Sequence, residues 1–137
     1  MPLPRISNSA FSAYIADNHA AGVHRKGYNG VVSLIPHDYG NNIFVPDFAG
    51  LNYETISLTG LPNYQETHPS KFDPRAEPMN IVEADESRVI LEQPPTSHAH
   101  VSARISFTIS EPWYLDQPIE LTFNKRFCDT GEPNRFS

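Results

Sequence analysis

One stretch of the chain alternates almost without fault. Val101, Ala103, Ile105, Phe107 and Ile109 share one parity, and Ser102, Arg104, Ser106, Thr108 and Ser110 share the other. A strand sends successive side chains to opposite faces, whereas a helix would scatter these apolar residues around its surface. The pattern predicts a half-buried strand over 99–109, oily on one face and polar on the other. Ile119, Leu121 and Phe123 alternate in the same way with Glu120, Thr122 and Asn124. The segment Glu111–Gln117 turns the chain, so these last two strands are expected to pair antiparallel. Upstream, 80–84 and 88–92 flank Asp85-Glu86-Ser87 with the spacing of a hairpin. A sheet with one oily face needs a second layer, and a β-sandwich is the simplest cover. The expected class is all-β, an antiparallel β-sandwich.

Proline limits the length of everything else. Pro36, Pro46, Pro62, Pro69, Pro74, Pro78, Pro94, Pro95, Pro112 and Pro118 divide the chain into short pieces. Proline breaks helices and central strands alike. Val31–Ile35 reads as a buried strand and Ile43–Val45 as a shorter one, while Tyr53–Leu58 alternates weakly. Gly60–Pro78 reads as a long loop, and loops of that length tend to be functional or mobile. The one predicted helix runs from Phe11 to Ala21. Phe11, Tyr14, Ile15 and Asn18 mark its face, Ser9 caps it and Gly22 stops it. The expected layout is an N-terminal arm carrying this helix over 1–23, a sandwich domain over 24–127, and a polar tail over 128–137 that frays.

Composition excludes several classes. The 137 residues suit one domain with enough length for a core. Ten Lys and Arg against sixteen Asp and Glu leave a net charge of −6. No basic stripe is present to release counterions from phosphates, so nucleic acid is not an expected partner. Neither is a membrane, since no apolar run approaches the ~20 residues of a spanning helix. Cys128 is the sole cysteine, which excludes an intrachain disulfide and a multi-Cys zinc site. Met1-Pro2-Leu3-Pro4-Arg5 lacks the apolar core of a secretory signal, so the cytoplasm is the expected location.

Three constellations bear on chemistry. His98 and His100 are two apart, which on a strand puts both on the polar face with Ser102 and Arg104. A His-x-His pair supplies two ligands, but a zinc site needs three or four. His19, His24, His37, Asp38 and His68 show no diagnostic spacing, and Arg104 repels a cation. The expectation is a polar face and no metal. The loop 41–52 sets Phe44 beside Asn42, Asp47 and Asn52, and rings beside amides and carboxylates suit sugars. The competing account is turn chemistry, with the aromatics plugging the core edge. The loop 63–75 adds Tyr64, Gln65, Glu66, His68 and Asp73. Trp113 is either a ligand platform or the plug at one end of the core. General acid/base work would fall to His98, His100 or Glu120. No dinucleotide or phosphate loop and no nucleophile elbow is present, and no cofactor is expected.

Several short motifs run in a fixed order. They are Gly27-Tyr28-Asn29-Gly30-Val31, Asn42-Ile43-Phe44-Val45-Pro46, Ala49-Gly50-Leu51-Asn52, Phe72-Asp73-Pro74-Arg75 with Pro78-Met79, and Gln93-Pro94-Pro95-Thr96. In these the chain resembles a group of uncharacterised bacterial β-rich proteins. The later alternation, ending in Ile119-Glu120-Leu121-Thr122-Phe123, resembles strands of the galactose mutarotase-like supersandwich. That resemblance implies a large antiparallel sandwich whose concave polar face handles carbohydrate. A complete supersandwich is a much longer chain, and the glutamate that mutarotase-type catalysis takes from a later strand has no counterpart after Phe127. The resemblance therefore implies a truncated member and assigns no catalytic residue.

Three functions follow as expectations. The first is a carbohydrate-recognising β-sandwich using Asn42, Phe44, Asp47, Asn52, His98, His100, Arg104 and Trp113. The second is a structural or interaction module that self-associates through an open sheet edge, or else a non-functional fragment of a larger sandwich. The third is a sugar-acting enzyme with a histidine as acid or base.

Overall fold

The computed structural model describes residues 3–45, 47–54, 73–97 and 100–124. Among them the elements are β1 (Arg5–Ser7), β2 (Phe11–Ala16), β3 (Gly30–Pro36), α1 (Asp73–Ala76), β4 (Asn80–Ala84), β5 (Arg88–Gln93), β6 (Val101–Ser110), β7 (Tyr114–Asp116) and β8 (Ile119–Phe123). They form two antiparallel sheets, one ordered β1-β2-β3 and one ordered β4-β5-β6, with β7 and β8 both on the far edge of β6.

The alternating segment is β6, with its five apolar residues buried and its polar ones turned outward. Leu91 of β5 lies opposite Ile105, and Arg88 opposite Thr108. β7 and β8 hold one continuous register against β6, from Ser110↔Tyr114 to Val101↔Phe123. Gln117 and Pro118 separate them. The Ser106 amide donates to the Pro118 carbonyl at 3.1 Å, but proline has no N–H to complete the pair. One long strand is thereby divided into two.

The predicted helix over Phe11–Ala21 is not formed; this is a correction. Phe11–Ala16 is strand β2, flanked by β1 on one side and β3 on the other. Phe11, Ala13 and Ile15 go to the core, leaving Ser12 and Tyr14 on the opposite face. An alternation of three residues was masked by Tyr14 and Asn18, which also fit a helical spacing. Two partner strands supply the backbone bonds that a three-turn helix would have had to supply alone. The expected arm thus contributes two strands of the first sheet. Ile43–Val45 is likewise not a strand. Most of 53–78 and all of 128–137 lie outside the described residues, as do His68, Cys128 and the 63–72 part of the second loop.

The core lies between the sheets. Ile6, Phe11, Ile15 and Val31 from the first sheet meet Leu91, Ile105, Phe107 and Ile109 from the second. Each fully buried side chain of this size contributes about 1.5–3 kcal/mol. Polar contacts lock one end. Asn8 donates from Nδ2 to the Ser110 carbonyl at 2.8 Å, and the Ser9 amide donates to Glu111 Oε1 at 2.9 Å. A buried amide network locks another region. Asn18 and Gln93 both donate to the carbonyls of Pro74 and Glu77, and Asn29 exchanges bonds with the backbone of Tyr53. α1 is thereby tied to β2 and β5. Gly30 has φ +110°, and a Cβ there would lie 1.9 Å from the Leu51 carbonyl oxygen. Only glycine fits where the 41–52 loop closes on β3.

Candidate functional site

The outer face of the second sheet carries one polar row across four strands. Asn80 lies opposite Glu92, Glu92 opposite Arg104, and Arg104 opposite Glu120. The next row sets Ser102 beside Thr122. With Pro94 these residues line a solvent-open hollow of about 330 Å³. The alternation of β6 puts Arg104 outward because Ala103 and Ile105 face the core.

Arg104 forms an ion pair with Glu92, and both side chains are part-exposed. Such a pair is worth at most about 1 kcal/mol, so it rearranges at little cost. Glu120 stands exposed on the other side of the guanidinium. Asn124 donates from Nδ2 to Ser102 Oγ at 3.4 Å and borders the same rows. The groove offers five guanidinium donors, two carboxylates, an amide and two hydroxyls within one surface.

The other predicted residues do not gather here. The carbonyl of His100 accepts from the Asn124 amide at 3.0 Å, and its φ is +55°. It precedes β6, so the strand parity that would set it beside Ser102 does not reach it. It does not line the groove, and His98 lies outside the described residues. Asn42 is occupied with holding its own loop. Its Oδ1 accepts from the amides of Leu34 and Phe44 at 2.9 and 3.0 Å. Phe44 packs on the core and covers Gly50, where a Cβ would lie 2.3 Å from the ring. Asp47 accepts through its carbonyl from the Arg25 amide at 2.8 Å, and Asn52 is exposed; neither lines the groove. Trp113 sits at the far end of β6, about 20 Å along the strand from Arg104. It stacks on Phe11 at 6.0 Å with the rings 7° apart, yet remains 60% exposed. It covers the end of the core with one face and shows the other to solvent.

Of the predicted residues that are described, the structure therefore brings together only Arg104 and Glu120. It adds Asn80, Glu92 and Thr122, which the sequence placed on strands without showing which lay opposite Arg104. Another polar cluster lies near Phe48. Arg25 lies 5.0 Å over its ring, Tyr28 meets it edge-on at 4.9 Å, and Arg75 lies 4.2 Å over Tyr28. This stack clamps the 41–52 loop to α1. Among the described residues no group of three or more His, Cys, Asp or Glu could hold a metal ion. Among them, too, no helix is long and apolar enough to cross a membrane. No family model matches the chain, and neither a curated protein nor a solved structure matches it significantly.

Proposed function

We propose that the chain is a carbohydrate-recognising β-sandwich module that holds its ligand in the polar groove over β4, β5, β6 and β8. The observation that carries this reading is the row Asn80, Glu92, Arg104, Glu120, in which one guanidinium stands between two carboxylates. Neighbouring sugar hydroxyls both donate and accept, so they can engage the carboxylates and the guanidinium together. The resemblance to galactose mutarotase-like proteins, whose polar sheet face handles carbohydrate, supports the same reading. Among the described residues no aromatic ring lines the groove. Recognition then rests on hydrogen bonds in an open site, and a Kd of about 1 mM, roughly 4 kcal/mol, is the expected strength.

Isothermal titration against a panel of neutral and acidic mono- and oligosaccharides tests this. At least one sugar is expected to bind saturably, with Arg104→Gln weakening it about tenfold and Trp113→Ala leaving it unchanged. Absence of saturable binding by every sugar of the panel overturns the reading.

Self-association through a sheet edge is the second reading. Among the described residues β4 pairs only with β5, and all five of its residues are exposed, including Ile81 and Val82. The register shift between Ile81 and Glu83 and the charge of Glu83 itself both oppose edge pairing. Light scattering across concentration separates the two: a growing mass favours the edge, and a constant monomer mass removes it.

A further inference from the structure

The outer face of the first sheet carries a second polar cluster. Ser7 of β1 lies directly opposite Ser12 of β2, and Ser12 lies opposite Ile35 of β3. His37 follows β3, and its amide extends the ladder by donating to the Ala10 carbonyl at 2.8 Å. Arg5 stands two residues before Ser7 on the same face. Strand parity thus brings one guanidinium, two hydroxyls and one imidazole to a single patch, on the side of the sandwich away from the groove.

All four groups meet at one oxygen. Arg5 Nη2 donates to Ser12 Oγ at 2.7 Å. Ser7 Oγ is 3.0 Å from Ser12 Oγ, and His37 Nε2 is 2.8 Å from it. His37 Nδ1 is 3.1 Å from the Ser9 carbonyl. A carbonyl can only accept, so Nδ1 carries the ring hydrogen. In the neutral ring Nε2 is then an acceptor for the Ser12 hydroxyl. Arg5 is exposed, while Ser12 beneath it is only 3% exposed.

The charge balance is unusual for so acidic a chain. Among the described residues, arginine ion pairs join Arg75 to Glu54, Arg88 to Glu83 and Arg104 to Glu92. Among the described residues Arg5 has only the neutral oxygens of Ser7 and Ser12. Glu111 joins the cluster only through Ser9, whose amide and hydroxyl take its oxygens. A guanidinium fork beside two hydroxyls is the donor set that suits a tetrahedral oxyanion.

We infer that Arg5, Ser7, Ser12 and His37 form a binding site for a phosphate or sulfate group on the outer face of the β1-β2-β3 sheet. The anion takes the place of the serine oxygens as acceptor for Arg5. Ser7 then donates to the anion, and the single Ser12 hydrogen, held by His37 Nε2 in the free protein, turns to the anion as well. This site is independent of the carbohydrate groove and stands or falls without it.

The test is an amide and arginine-side-chain NMR titration of the full chain with inorganic phosphate and, separately, sulfate. Sodium chloride at matched ionic strength is the control. Saturable shifts confined to Arg5, Ser7, Ser12 and His37 are expected, with a Kd of about 1–10 mM. Arg5→Gln, at an exposed position that leaves the core untouched, is expected to weaken binding at least tenfold. Arg5→Lys, which keeps charge but loses the fork, should weaken it less. Arg104→Gln should leave it unchanged. Saturation by only one of the two anions identifies the source within the same chemistry. Shifts no different from those with chloride, or an unchanged Kd in Arg5→Gln, overturn the proposal.

Discussion

Asp85 shows how one side chain sets a turn. Its Oδ1 accepts from the amides of Ser87 and Arg88, both at 2.8 Å, and from the Ser87 hydroxyl at 3.2 Å. The Ser87 amide is the largest reason that its carboxyl is held below the ordinary value of 3.8, with Arg88 helping through its own amide and charge. Glu111 is lowered in the same sense, first by the Ser9 hydroxyl and then by the Ser9 amide. A carboxyl whose folded pKa lies below its unfolded pKa adds stability above the unfolded value. It loses that stability as pH falls through the folded one. Asp85→Ala should therefore lower the urea midpoint at pH 7, and the gap from the native chain should close in acid, below about pH 4. A gap equal at pH 7 and in acid would mean that the charge is not what the turn uses. His24 is the residue without such an account. It is buried, and among the described residues neither ring nitrogen has a hydrogen-bond partner.

At the scale of elements, legibility followed length of pattern. β6 was readable because ten residues keep one period, and the β4-β5 hairpin because Asp85-Glu86-Ser87 separates two apolar runs. β2 was not, because six residues satisfy both periods and only the neighbouring strands decide between them. The groove was half legible. Parity alone placed Arg104 and Glu120 on a polar face, but it could not say that Glu92 and Asn80 complete their row. That depends on register, which a one-residue slip would change. The oxyanion cluster was not legible at all, since Arg5 and Ser12 lie on two strands, His37 follows a third, and His37 carried no telling spacing. β6 supplies Ala103, Ile105, Phe107 and Ile109 to the core between the sheets. Phe107 is fully buried at its middle, on the face that meets the first sheet. Phe107→Ala should cost about 3–5 kcal/mol in urea unfolding. A loss under about 1 kcal/mol would mean that the ring does not sit in a packed interior.

Across the whole molecule, the two outer faces carry different chemistry only because one core joins the sheets back to back. Sheets packed this way lie about 10 Å apart, so groove and oxyanion cluster face away from each other and can act separately. Trp113 reports on that closure. It belongs to the turn after β6 in the second sheet, yet its ring stacks on Phe11 of the first. The most direct measurement is urea unfolding followed at once by Trp113 fluorescence and far-UV circular dichroism. One core predicts a single cooperative transition with the two signals superimposed. A Trp113 transition that precedes the loss of strand signal would mean that the sheets part before they unfold, and would contradict the account.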